Sequence, residues 1–172
     1  MTGIVLRTSL KPRTPGQRGL PKLSVPSLEI TQQGAVGDFN CYRAEQMPDD
    51  LDQALLLLTE EVIHDLQSEG WPVQPGDLGE NLTLAGVPER MLAPGVRLRI
   101  GEVLVEVSLA CDPCATLYAL PYVGRERGPE FLRRLNGRRG WYARVLQPGV
   151  VTPGSPVVLV ARAAPAPTEA PA

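Results

Sequence analysis

With 172 residues and 43% hydrophobic content, the chain is long enough and apolar enough for one domain with a real core. A net charge of −2, and no apolar stretch near the ~20 residues of a membrane span, argue against a nucleic-acid-binding or membrane-spanning protein. Three cysteines, an odd number, argue against a disulfide framework, and the apolar run Ile4–Leu6 is too short for a signal peptide. A soluble protein of a reducing, cytoplasmic compartment is expected.

Glycine (17) and proline (18) make up about a fifth of the residues, which favours short strands and many turns over long helices. Pro-Gly dipeptides beginning at Pro15, Pro75, Pro94, Pro148 and Pro153 each predict a corner, because Pro presets one turn dihedral and Gly supplies the positive one. Gly3–Thr8 reads as a first strand, Lys11–Leu20 as a basic loop and Leu23–Thr31 as a second extended segment. Gly34–Arg43 holds a tight turn at Gly37-Asp38 and then a polar loop. The continuous apolar run Ala54–Leu58 predicts a buried strand. A helix follows, with Thr59 as N-cap, Glu60 and Glu61 at the positive end of its dipole, Val62, Ile63 and Leu66 on one face, and Gly70 as its stop. His64, the only histidine, lies beside that face, which excludes zinc sites built from several imidazoles.

Gly76-Asp77-Leu78-Gly79-Glu80-Asn81-Leu82 is a tight polar loop with a carboxylate and an amide at its tip, and it lacks the Lys-Ser/Thr of a phosphate-binding P-loop. Val96–Ile100 and Val103–Leu109 alternate strictly and are joined by Gly101-Glu102. They predict a β-hairpin with Val96, Leu98, Ile100, Val103, Val105, Val107 and Leu109 on its apolar faces. Pro129–Leu135 reads as a short helix with Pro129 at its first position, Phe131, Leu132 and Leu135 inward, and Gly137 at its end. Trp141–Leu146 and Val157–Val160 are closing strands. The predicted class is mainly β, one domain over residues 1–160, followed by a disordered Ala/Pro-rich tail over 161–172.

Charge is unevenly spread. Ten acidic residues and no Lys or Arg fall between Ala44 and Glu80, while Arg125–Arg144 holds seven arginines opposed only by Glu126 and Glu130. This pattern fits either an anion site near the C-terminal half or two solvated faces. In Gly137–Arg144, Arg139, Tyr142 and Arg144 are candidates for holding a phosphate or a heteroaromatic ring. Cys111-Asp112-Pro113-Cys114 admits four readings: zinc ligands, a thioredoxin-like dithiol, two inert core thiols, or one functional thiolate with Cys111 as accessory. A zinc site lacks a second thiol pair, and a redox dithiol normally opens a helix in a βαβ unit. Here the pair follows a hairpin strand, so the weight falls on Cys114, with Pro113 fixing the backbone before it.

Gly19-Leu20-Pro21-Lys22, Gly37-Asp38, Gly79-Glu80-Asn81-Leu82, Leu98-Arg99-Ile100-Gly101, Pro113-Cys114 and Gly140-Trp141-Tyr142-Ala143-Arg144-Val145 occur in this order. Together they resemble the MOSC domain, named from the C-terminal region of molybdenum cofactor sulfurases, in its small stand-alone bacterial form. The resemblance implies a β-barrel with a few short helices. It implies that Cys114 either ligates molybdenum in a pterin cofactor, as in members that reduce N-hydroxylated bases, or carries sulfur as a persulfide. Glu80 and Asn81 would line the site, with Lys22, Arg139, Tyr142 and Arg144 as further cofactor contacts. Where relatives follow Gly-Asp with a basic residue and a histidine, this chain has Phe39 and Asn40. It contains no aminotransferase-like domain, so pyridoxal phosphate chemistry is not expected of it alone. The resemblance implies a small-molecule substrate and an electron- or sulfur-donor protein as partners. A binding module for an anionic small molecule, without chemistry, is the remaining alternative.

Overall fold

The computed structural model describes residues 2–162, within which eleven strands and three α-helices form. In chain order they are β1 (Thr2–Leu10), β2 (Leu23–Val25), β3 (Leu28–Thr31), β4 (Gly34–Ala35), α1 (Cys41–Gln46), β5 (Leu55–Thr59), α2 (Glu60–Ser68), β6 (Leu82–Ala85), β7 (Val96–Ile100), β8 (Val103–Ala110), α3 (Gly124–Leu135), β9 (Trp141–Gln147), β10 (Gly149–Val151) and β11 (Pro156–Arg162). Short 3-10 turns occupy Leu51–Gln53, Glu89–Met91 and Ala115–Ala119. Among the described residues no helix is long and apolar enough to cross a membrane.

Seven strands close into a barrel in the order β1-β6-β5-β9-β8-β7-β11 and back to β1, and β2 pairs with the far end of β1. Closure leaves these strands no free edge, and so no row of unpaired backbone groups. Neighbours are antiparallel except β5 and β6, which run parallel with Leu57 opposite Leu82. A parallel pair needs a crossover, and α2 with the loop after it supplies one. A small second sheet, β10-β3-β4, packs its buried Leu28, Ile30 and Val151 into the same core as the barrel.

The all-apolar sequence of β5 follows from its place between two layers. Leu55 and Leu57 point into the barrel core with Leu82, Leu84, Val105 and Ala143, while Leu58 joins a second core with Val62, Ile63, Leu66, Trp71, Phe131 and Leu135. That second core packs α2 and α3 against the outside of the barrel. The hairpin forms as its alternation predicts, with Val96, Leu98, Ile100, Val103, Val105 and Val107 buried. Leu109 departs from the pattern and is exposed, because the β8–β9 register shifts between Val107 and Ala110. That irregularity re-aims the end of β8 toward the cysteine segment.

Other expectations are corrected. The extended segment Leu23–Thr31 is two strands in two sheets, divided at Pro26-Ser27. The polar loop before Arg43 becomes α1, capped by the Asn40 side chain on the Arg43 amide. The C-terminal helix starts at Gly124, with Pro129 inside it. Thr59 precedes α2, but its hydroxyl donates to Glu89 (2.9 Å) instead of capping the helix. Four of the five Pro-Gly dipeptides place Gly at positive φ, whereas Gly149 does not and opens β10. The last strand runs through Arg162, two residues into the expected tail, and the rest of that tail lies outside the described residues.

Leu57 is fully buried at the centre of the barrel. Leu57→Ala is expected to destabilise the protein by about 2–5 kcal/mol, seen as a lower urea midpoint at unchanged slope.

Candidate functional site

The site lies where β8 ends and β9 begins. Gly140, at φ 94°, lets β9 enter directly beside β5, since a Cβ there would strike the Leu57 carbonyl. The residue before it, Arg139, is thereby held under the Cys111–Cys114 segment. Its guanidinium is buried, with Nε and one Nη engaged by backbone and sulfur and the other Nη without a hydrogen-bond partner among the described residues. Nε donates to the Leu78 carbonyl (3.4 Å), and one Nη donates both to the Asp112 carbonyl (2.7 Å) and to Cys114 Sγ (3.2 Å). Gly79, at φ 91°, leaves room beside Arg139 that a larger residue would fill, its Cβ direction meeting Leu20 Cδ2 at 2.7 Å.

Cys114 is exposed, and its backbone precedes the 3-10 turn Ala115–Ala119. Burial works against its thiolate, but the Arg139 guanidinium and the hydroxyl and amide of Thr116 outweigh it and hold the thiol below its ordinary value. Cys111 is the opposite case. It is buried at the end of the strand, and burial pushes its thiol up against the opposing effects of Arg139 and the Tyr142 hydroxyl. The Tyr142 hydroxyl is itself pushed up by burial and by Cys111, so it stays protonated at neutral pH. The two cysteines are free thiols of different character.

Cys114, Arg139, Tyr142 and Lys22 open on one cavity of about 370 Å³. Gly19, Leu20, Phe39, Asn40, Cys41, Tyr42, Leu109 and Thr116 complete most of its wall. A second cavity of about 320 Å³ shares Lys22, Phe39, Asn40, Gln53, Leu56 and Tyr142 with it and adds Asp38, Arg43 and Asn81. Asp38 is the organiser between them. One of its oxygens accepts from buried Lys22 Nζ (2.6 Å) and from Asn81 Nδ2 (2.9 Å), and the other accepts from the Lys11 amide (2.9 Å). Asn81 also ties β5 to β1, accepting from the Leu56 amide and donating to the Ser9 carbonyl.

Two of the residues expected at the site do not line either cavity. Glu80 is fully buried and turned under the Gly76–Asn81 loop, where Oε1 accepts from the Gly76 amide (2.5 Å) and the Thr83 hydroxyl (3.0 Å) and Oε2 has no protein partner. Burial pushes its carboxyl up despite those bonds. Arg144 pairs with Asp52 (2.9 Å) and Glu106 (3.7 Å) at the protein surface. His64 is exposed on α2, away from the cavity. Sequence reasoning missed the contributions of Asp38, Thr116 and Cys41. Asp38 had a signal, since it stands in the Gly37-Asp38 turn, but its role depends on Lys22 and Asn81 converging from distant segments.

Among the described residues no group of three or more His, Cys, Asp or Glu side chains is placed to hold a metal ion. Cys114 is therefore a single soft ligand, suited to a metal that arrives with most of its coordination already filled. A molybdenum–pterin cofactor is such a group, because the pterin brings its own sulfur ligands, and the cavity is within the size range of cofactor pockets. The fit is good at the thiolate. It is weaker for the phosphate contact expected of Lys22, which is balanced by Asp38, than for Arg139, whose second Nη has no hydrogen-bond partner among the described residues.

The closed seven-stranded barrel defines the fold class of the protein. The MOSC domain family matches residues 32–158, and the chain belongs to that family. It is 35% identical over 91 residues to the uncharacterized protein YflK of Bacillus subtilis (strain 168), and 36% identical over 84 residues to the protein YiiM of Escherichia coli (strain K12). These matches cover 53% and 49% of the chain but only 40% and 36% of the two relatives. The crystal structure of YiiM from Geobacillus stearothermophilus superposes with a TM-score of 0.69 at 28% identity, covering 92% of this chain and 75% of that one. YUAD of Bacillus subtilis shares the fold at a TM-score of 0.73 and 18% identity, over 91% of this chain and 94% of that one.

Two outcomes follow from these environments. Alkylation of Cys114 by iodoacetamide, followed by peptide mass spectrometry, should reach half its maximal rate below the pH of an ordinary thiol. Arg139→Met should move that midpoint up, slowing the reaction at neutral pH by about tenfold per pH unit of displacement. For Glu80 the folded-state value is raised above the ordinary 4.5, so its contribution to stability is present below that value and lost as pH rises through the folded-state value. Glu80→Gln, which keeps an acceptor for Gly76, is therefore expected to melt above wild type at pH 8, with the difference shrinking as the pH approaches 4.5.

Proposed function

We propose that this chain binds a molybdenum–pterin cofactor through Cys114 and serves as an oxidoreductase for N-hydroxylated or related small molecules, with a partner protein supplying electrons in the cytoplasm. The observation that carries this reading is the exposed Cys114 sulfur, kept toward its thiolate form by buried Arg139, at a cavity whose residues offer no other metal-binding cluster. Family membership supports cofactor binding as the general role.

The bound group would supply a redox-active metal centre. The chain's own residues set its surroundings. Cys114 would hold the metal, and Arg139 would keep that sulfur ionised and aimed at the cavity through bonds that also fix Leu78 and Asp112. Lys22, Asp38 and Asn81 form a neutralised, rigid wall. Tyr142 keeps its proton and stands beside the accessory thiol Cys111. Phe39 and Tyr42 add apolar ring surface against which a small substrate can pack.

The reading is tested by metal and pterin analysis of protein made in a host that synthesises the cofactor. Near-stoichiometric molybdenum and pterin in wild type, both lost in Cys114→Ser, is the expected result. Protein free of both, with added sulfur appearing on Cys114 after incubation with a cysteine desulfurase, would replace this reading with a persulfide carrier. Protein free of both that takes up no sulfur, but shows a phosphate-dependent thermal shift surviving Cys114→Ala, would reduce the site to an anion-binding module.

A further inference from the structure

Cys111 performs no step in the function proposed above, yet it is a buried thiol three residues from Cys114 and shares its surroundings. The two thiols face one guanidinium. Arg139 donates to Cys114 Sγ at 3.2 Å, and its charge is also felt by Cys111. The Asp112 carbonyl lies between them, accepting from the same Arg139 nitrogen at 2.7 Å and standing 3.8 Å from Cys111 Sγ. No regular hydrogen-bonded structure is assigned to residues 111–114, which lie between the end of β8 and the 3-10 turn. A rotation of either side chain there breaks no strand or helix ladder. Cys114 is exposed to small solutes, while Cys111 is covered and reachable only from within the protein.

We propose that Cys111 and Cys114 form a reversible redox pair, in which hydrogen peroxide oxidises Cys114 and Cys111 resolves the product as an intramolecular disulfide. In the first step the Cys114 sulfur attacks one peroxide oxygen. An S–O bond forms, the O–O bond breaks, and the departing hydroxide is protonated to water. Sulfur is oxidised by two electrons and the peroxide is reduced. In the second step the Cys111 sulfur attacks the Cys114 sulfenic sulfur. The S–S bond forms, the S–O bond breaks, and hydroxide leaves with the Cys111 proton as a second water. A dithiol reductant restores both thiols. The division of labour suits the positions: the exposed sulfur meets the oxidant, and the shielded one waits three residues away, so that resolution competes with further oxidation of Cys114. The consequence rests on the reading of Cys114 as cofactor ligand: the disulfide would withdraw that ligand from the cavity, and oxidant would shut off cofactor loading.

The test uses the full chain, reduced, freed of metal and treated with hydrogen peroxide. In wild type the tryptic peptide 100–125 should become lighter by about 2 Da, and dithiothreitol should reverse the change. Cys41→Ser should behave the same, although Cys41 also lines the cavity. In Cys111→Ser, and in Cys111→Ala should serine disturb folding, Cys114 should instead gain about 32 or 48 Da irreversibly. Sulfinic or sulfonic Cys114 in wild type, or a disulfide from Cys114 to Cys41 or to a second chain, would overturn the pair. Because the readout needs no cofactor, a crosslink in protein that never carries molybdenum keeps the pair and removes only its proposed consequence.

Discussion

The structure of the site depends on one buried guanidinium. Removing an arginine head group from water is costly unless its donors find partners, and Arg139 offsets that cost with two backbone carbonyls and one sulfur, while its second Nη has no hydrogen-bond partner among the described residues. Those three acceptors belong to separate stretches of chain: Leu78 in the loop before β6, and Asp112 and Cys114 after β8. A single side chain at the start of β9 therefore ties two other segments, the Leu78 loop and the stretch after β8, to one end of the barrel. The same charge sets the chemistry of the thiols, since it opposes the burial cost of ionising Cys114 and does not overcome it at Cys111. Position and reactivity come from the same interaction, so neither can be altered alone by changing Arg139.

The barrel makes this possible by being rigid where the site is irregular. Closure satisfies the backbone of seven strands, and two apolar cores meet on opposite faces of β5. Several departures from regularity lie at the cavity end: the β8–β9 register shift between Val107 and Ala110, the exposed Leu109, the positive-φ glycines Gly79 and Gly140, and the strandless segment 111–114. An irregular loop on a rigid frame can present an exposed thiol without losing its direction.

What could be read from the sequence follows the range of the forces involved. The hairpin, the buried strand β5 and the apolar face of α2 are local patterns, and residues two to four apart reveal them. Cys114 and Arg139 were legible because the strand context and the order of motifs singled them out. Local reasoning failed where long-range contacts decide. Pro129 looked like a helix start because proline fits the first turn, yet the helix begins at Gly124, and Gly128 lies so close to the Tyr118 ring that a side chain there would collide with it. Glu80 was expected to line the site because Gly79-Glu80-Asn81-Leu82 is one of the motifs that carry the family resemblance. Only the fold shows that Gly76 and Thr83 draw it inward. Arg144 shares a strand face with Tyr142 by alternation, but Asp52 and Glu106, distant in sequence, claim its charge.

Phe39 and Asn40 set the character of one wall of the cavity. Asn40 spends its side-chain oxygen capping α1 on the Arg43 amide, and Phe39 lies under the Arg13 guanidinium at 5.5 Å. A basic residue and a histidine at these positions would put titratable groups on this wall. This chain places a neutral cap and an aromatic ring instead, with Lys22 neutralised by Asp38 behind them. The charge available to a bound molecule is then concentrated on the opposing chemistry of Arg139 and Cys114, and the Phe39 wall contributes mainly shape and apolar surface. A cavity divided in this way favours ligands that bring a soft or anionic group to the thiolate side and a flat, weakly polar body to the other.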